Sequence, residues 1–167
     1  MNKFIEQIIH HTYQIESSKL DKLRELILST NGNIIILGNG GSNAIASHMA
    51  EDYTKILKKP TICFSDAARL TCYANDYGYE NSFVQYLSEF VEKDGIVILI
   101  SSSGESKNIV KCVEYCMKEN IPFITLTGFK STNSIRNLQN TTLEFWIDST
   151  NYGVVECIHE IILHSIL

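Results

Sequence analysis

The sequence predicts an α/β fold, a doubly wound, five-stranded parallel sheet flanked by helices, with an N-terminal helical segment. Three observations point there. Apolar runs of four to six residues recur along the 167-residue chain. Such runs suit strands buried on both faces. Two of them, at 34–37 and 95–100, run into a Gly- or Ser-rich turn that opens a helix. Strands then alternate with helical stretches to the end, the pattern of right-handed parallel crossovers.

Residues 2–29 carry a helical stripe of Phe4, Ile5, Ile8, Ile9 and Ile15, then Leu20, Leu23, Leu26 and Ile27. Ser17-Ser18 is the expected break between two helices, and the stripe is expected to pack against other subunits, an intramolecular seat being the alternative. Residues 34–37 are the first strand. The turn 38–41, GNGG, lets the backbone bend and approach a ligand closely at Gly40 and Gly41. Ser42 or Asn43 then caps a helix to about Lys58. A second strand covers 61–64, and 66–79 reads as turn-rich with room for a short helix. A helix over 81–91 leads to the strand at 95–100 and the turn SSSGES, followed by a helix over 107–119. Strands at 123–126 and 142–147 close the sheet, with one helical turn near Ile135 between them. An apolar helix over 154–167 ends the chain.

Composition narrows the class. With 44% apolar and 20% charged residues, the chain is an ordinary globular protein long enough for a real core. A net charge of -5 without a basic stripe argues against nucleic acid. No apolar run reaches membrane-spanning length. The charged, His-containing start is not a leader peptide. The cysteines Cys63, Cys72, Cys112, Cys116 and Cys157 are odd in number and lack CxxC pairs. They read as reduced thiols of a cytoplasmic protein.

The two turns are the candidate binding site. Free N–H groups and the helix dipole at a helix N-terminus favour an anion. The hydroxyls of Ser101, Ser102, Ser103 and Ser106 suit a phosphate monoester, so no Lys or Arg is required. GNGGS lacks the Lys of a P-loop, and Asn43 stands where a dinucleotide fingerprint needs its third Gly. His48 and Asp52 share one helix face, as a reactive pair near the loop or as a surface pair or core histidine. On the last helix, Glu156 and His159 have the spacing of a carboxylate–histidine metal pair, and Glu156 lies two turns before His164. Glu160 lies between them, and spacing alone leaves open which of the four faces the site.

Taken together, GNGGS at 38–42, HMAED at 48–52, NDYG at 75–78, ISSSGES at 100–106 and ITLTG at 124–128 resemble the sugar isomerase (SIS) domain proteins, in particular the sedoheptulose 7-phosphate isomerases. The resemblance runs from about Ile34 to the end. It implies one SIS domain over 1–167, with N-terminal helices at 1–30 and the α/β core at 31–167. It also implies a homotetrameric aldose–ketose isomerase that supplies a heptose phosphate for bacterial surface polysaccharide. By position, Ser42, Ser101, Ser102, Ser103 and Ser106 match phosphate and sugar contacts, and Asn75 and Asp76 match polar groups lining the site. His48, Asp52, Glu156 and His164 match a zinc and proton-transfer set, with Asp52 as base, ligand or both, and His164 as acid. Two positions depart from the best-known members: Asp52 replaces a Glu, and Glu156 replaces a Gln. The alternative is a non-catalytic SIS module that binds a sugar phosphate or a protein; the acid–base set favours the enzyme.

Overall fold

The computed structural model describes residues 2–138 and 140–167. Helices α1 (Lys3–Tyr13) and α2 (Ser17–Ser29) precede β1 (Ile34–Leu37). Then follow α3 (Gly41–Lys55), β2 (Thr61–Cys63), α4 (Ala67–Tyr77) and α5 (Tyr79–Phe90). The second half holds β3 (Ile96–Ser101), α6 (Lys107–Glu119), β4 (Phe123–Gly128), α7 (Ser134–Leu138), β5 (Leu143–Ile147) and α8 (Tyr152–His164). The five strands form one all-parallel sheet, as the sequence predicts, and their order is β2-β1-β3-β4-β5.

Alternation along each strand divides the core into two layers. Ile34 and Ile36 of β1, with Ile96, Ile98 and Ile100 of β3, face α2, α3 and α8. Ile35 and Leu37, with Val97 and Leu99, face α5, α6 and α7. All ten residues of these two strands are buried. Both faces are covered because each parallel crossover lays its helix on the sheet. The helix after β1 goes to one face and the helix after β3 to the other. The carboxyl ends of these neighbouring strands therefore open a crevice at the point where the strand order reverses.

Four local expectations are corrected. Ser17 starts α2, and the break falls at 14–16. Helix α3 starts at Gly41, with Gly40 as N-cap at φ 53° and ψ -122° and no side-chain cap. Neither Ser42 nor Asn43 caps it. The turn-rich segment is a full helix, α4, started by Asp66, whose side chain accepts from Arg69 N–H at 2.8 Å. It has no buried residue, so no apolar stripe announces it. The stripe of 4–27 is also split. Leu23 and Ile27 of α2 are fully buried within the chain. Phe4, Ile5 and Ile9 of α1 stay exposed at 39%, 49% and 41%.

Candidate functional site

The GNGGS and SSSGES turns meet at the crevice. Asn39, Gly40, Gly41, Ser42, Ile100, Ser101, Ser102, Ser103, Ser106, Tyr152 and Glu156 line a cleft of about 260 Å³. Among the described residues no Lys or Arg lines it. Two glycines are required. Gly40 holds a positive φ that L side chains rarely adopt. At Gly41 an added Cβ would stand 2.5 Å from a Glu156 carboxylate oxygen. Ser42, Ser101 and Ser102 are buried. Ser101 Oγ donates to Ser106 Oγ at 3.1 Å, and Ser103 Oγ accepts from Glu105 N–H at 3.2 Å. Ser102 Oγ is buried without a partner. A buried hydroxyl in that state costs free energy until something in the cleft pairs with it.

The two turns are tied together by residues the sequence reading did not select. Asn39 Nδ2 donates to Asn108 Oδ1 at 2.9 Å, and Asn108 Nδ2 donates back to Asn39 Oδ1 at 2.8 Å. Tyr79 Oη also donates to Asn39 Oδ1, at 2.7 Å. Asn108 is buried in the first turn of α6. This reciprocal amide pair fixes the separation of the two helix N-termini that face the cleft. Behind the second turn, Glu105 accepts from the N–H and Oγ of Ser134 at the start of α7.

A second cluster lies further along α3 and α8. His48 Nε2 is 3.3 Å from His164 Nε2, and Asp52 Oδ2 is 3.5 Å from the first and 3.6 Å from the second. His164 Nδ1 lies 3.0 Å from the Glu160 carbonyl, so it must be the donor. In the neutral ring Nε2 then presents its lone pair to the other two groups. An N–H of His48 at Nε2 can donate to the His164 lone pair, or a metal ion can sit among the three atoms. A tetrahedral zinc with bonds of about 2.1 Å has ligand–ligand edges of about 3.4 Å, which matches this triangle. Ligand atoms of His48, Glu160 and His164 also lie within 4.8 Å of one another.

Two anchors hold α8 in this register. Tyr53 Oη, on a fully buried ring, donates to the Leu163 carbonyl at 3.0 Å, and burial pushes its phenol far above the usual range. His159 is fully buried, and its Nε2–H donates to the Thr127 carbonyl at 3.1 Å. Desolvation lowers its pKa to about 4, only partly offset by that bond, so the ring is neutral near pH 7. His159 therefore faces the sheet and does not form a metal pair with Glu156. The Glu156 carboxylate lies over Gly41 in the cleft. Asn75 and Asp76 sit on exposed α4, hydrogen-bonded to each other at 2.9 Å, and do not line the cleft.

The SIS domain family model matches residues 2–128. A phosphoheptose isomerase of Fusobacterium nucleatum is 32% identical over 172 residues, covering 100% of this chain and 86% of the relative. The structure of a phosphoheptose isomerase from Francisella tularensis superposes with a TM-score of 0.87 at 26% identity, covering 98% of this chain and 89% of that one. That of a phosphoheptose isomerase from Neisseria gonorrhoeae gives 0.86 at 23% identity, covering 98% and 91%. Helix α8 lies beyond the residues matched to the family model, yet packs in the same core layer as α3.

Proposed function

Because this chain belongs to the SIS domain family, with phosphoheptose isomerases as its relatives, we propose that it is an aldose–ketose isomerase of a sugar phosphate. It converts sedoheptulose 7-phosphate to D-glycero-D-manno-heptose 7-phosphate through an enediol. The observation that carries this is the buried, unpaired Ser102 hydroxyl in a cleft built from two helix N-termini. Such a cleft suits the phosphate end of the substrate. The imidazole–carboxylate cluster lies further along α3. Ser42 and His48 are six residues apart, about 9 Å of helical rise. A long sugar chain fits between phosphate seat and cluster better than a short one.

In this reading, Ser42, Ser101, Ser102, Ser103 and Ser106 hold the phosphate and the near end of the sugar, with the backbone of Gly40 and Gly41. Asp52 takes the proton from C1 and returns it to C2. His164 moves a proton between O1 and O2 through Nε2, since Nδ1 is committed to the Glu160 carbonyl. His48, Asp52 and His164 form a donor set that fits zinc, and Glu156 is the fourth member of the set implied by the family. The chemistry a zinc ion supplies when bound there is polarisation of the sugar carbonyl. Nε2 of His164 has one lone pair, so it serves the proton or the ion at a given moment.

The span 1–167 acts as one SIS domain. It works in the cytoplasm, in keeping with five free cysteines, and as a homotetramer. The exposed apolar face of α1 supports the tetramer, as does an apolar groove of about 490 Å³ lined by Phe4, Ile5, Ile8, Cys157, Glu160, Ile161 and His164. Asn75 and Asp76 belong to the site in this reading, reaching it from a neighbouring subunit. The test is proton NMR of sedoheptulose 7-phosphate incubated with the purified protein in D2O. Aldose should appear with deuterium at C2. Asp52→Asn should slow this at least about a hundredfold with the fold intact, the scale of general-base catalysis. A wild-type protein that leaves the substrate unchanged would overturn the reading.

A further inference from the structure

We infer that Tyr152 is a specificity-determining residue of the serine cleft: its phenol hydroxyl donates to the phosphate of the substrate and so favours a phosphorylated sugar. The inference rests on the isomerase reading above and adds one substrate contact to it.

Among the described residues Tyr152 is the one aromatic side chain lining the cleft. It opens α8, 58% exposed, one turn before Glu156 and on the same helix face. The first turn of α8 packs against the second serine turn. A Cβ added at Gly128 would stand 2.8 Å from both Val155 Cγ atoms and 3.0 Å from the Ser102 carbonyl oxygen. The Tyr152 ring is anchored by Phe129, whose ring meets it edge-on at a centroid distance of 4.7 Å and an angle of 64°. Phe129 holds a left-handed φ of 58°, which bulky side chains rarely adopt, and its N–H donates to the Ser149 carbonyl at 2.9 Å. Backbone of this kind persists only where its surroundings hold it, and it concentrates at ligand sites. Here it sets an aromatic support beside the tyrosine that lines the cleft.

The cleft is short of positive charge. Its one charged side chain among the described residues is Glu156, of the same sign as a phosphate. Binding there depends on neutral donors, and Ser101 Oγ already donates to Ser106 Oγ. The start of α8 adds little by its amides. Asn151 Oδ1 accepts from the N–H groups of Gly153 and Val154, at 3.0 and 3.4 Å. What α8 brings instead is the Tyr152 hydroxyl, which has no hydrogen-bond partner among the described residues. Fixing a tyrosine costs little freedom, since only two side-chain torsions are involved. Tyr152 precedes His164 by twelve residues, about 18 Å of helical rise, so it stands at the end of the site away from the acid–base cluster. It meets the phosphate end and not the carbons that react. A contact equally strong in bound substrate and transition state moves KM and leaves kcat alone.

The experiment compares wild type, Tyr152→Phe and Tyr152→Ala. The side chain is exposed, so all three should share one urea midpoint. Isomerisation of sedoheptulose 7-phosphate gives KM and kcat. Calorimetry gives the affinity for inorganic phosphate, which needs no turnover. Tyr152→Phe keeps the ring and loses only the hydroxyl. It should raise KM about tenfold, weaken inorganic phosphate by a similar factor and leave kcat within about twofold. Tyr152→Ala should do at least as much. Unchanged KM and phosphate affinity in Tyr152→Phe, or a fall in kcat with KM unchanged, would overturn the inference alone. So would a raised KM with phosphate affinity kept, which would put the hydroxyl on the sugar. Wild-type protein that binds phosphate about tenfold better than Tyr152→Phe, yet leaves the heptulose phosphate unchanged, would overturn the isomerase reading and keep the phosphate contact.

Discussion

Ser102 and His159 carry separate kinds of information. Ser102 Oγ lines the cleft and is buried without a partner. Replacing it by Ala removes an unpaired buried hydroxyl, so stability to urea should hold or rise slightly. Sugar-phosphate affinity by calorimetry should fall by roughly 1.5–3 kcal/mol, because the lost bond is to a charged group. Equal affinity in the two proteins would mean that Ser102 does not touch the phosphate. His159 sets a pH limit. Its pKa is near 6.5 in the unfolded chain and about 4 when buried in the fold. Below pH 6.5 the unfolded state gains a proton that the folded state refuses until about pH 4. Stability is therefore whole above 6.5 and falls as acid is added. Between pH 7 and 4.5 this one group should account for about 2 kcal/mol of lost stability. Urea titrations of His159→Leu should show a pH slope flatter by that amount, and parallel slopes would contradict the assignment.

At the scale of elements, the serine cleft depends on how far apart two helix starts are held. The Asn39–Asn108 amide pair sets that separation, and Tyr79 from the start of α5 backs it. Asn108→Ala would leave the Asn39 amide short of partners and the two turns untied. Binding of the sugar phosphate should weaken by roughly 1–3 kcal/mol, with KM rising more than kcat falls. An unchanged KM would show that the turns hold their spacing without the pair. Helix α4 shows a different local logic. It starts on the Asp66 cap, and Tyr73 meets Phe64 edge-on at a centroid distance of 5.5 Å. No residue of it is buried. Sequence patterns signal helices by apolar periodicity, so a helix lying on the surface leaves only its cap as a trace.

For the whole molecule, the two N-terminal helices behave differently. Helix α2 completes the core through Leu23 and Ile27, whereas Phe4, Ile5 and Ile9 of α1 remain exposed, and Phe4 and Ile5 line a groove beside α8. Light scattering at micromolar concentration should give a tetramer. Ile5→Asp with Ile9→Asp should shift it to smaller species, since two charges would have to be buried unpaired at the contact. A wild-type monomer would contradict the assembly, and an intact tetramer in the double variant would move the contact away from α1.

Much of this molecule is written locally. The runs 34–37 and 96–100 can only be strands covered on both faces, and the Gly and Ser turns that follow must open helices. These two facts let the two turns meet beyond the carboxyl ends of the strands, and the strand order of the fold then puts that meeting between β1 and β3. Alternation of strand and helix then determines the all-parallel sheet. Three other decisions belonged to the tertiary structure. Glu156, His159 and Glu160 occupy three successive directions around one apolar helix, and periodicity is silent on which faces the site. Packing against β4 turned His159 inward, and the parallel run of α3 and α8 set Glu156 over Gly41 and Glu160 beside the histidines. The pairing of Asn39 with Asn108, 69 residues apart, depends on two loops meeting across the sheet. Side-chain partners that arise only from long-range packing leave no spacing in the sequence to read, whereas backbone periodicity and turn chemistry are fixed within a few residues.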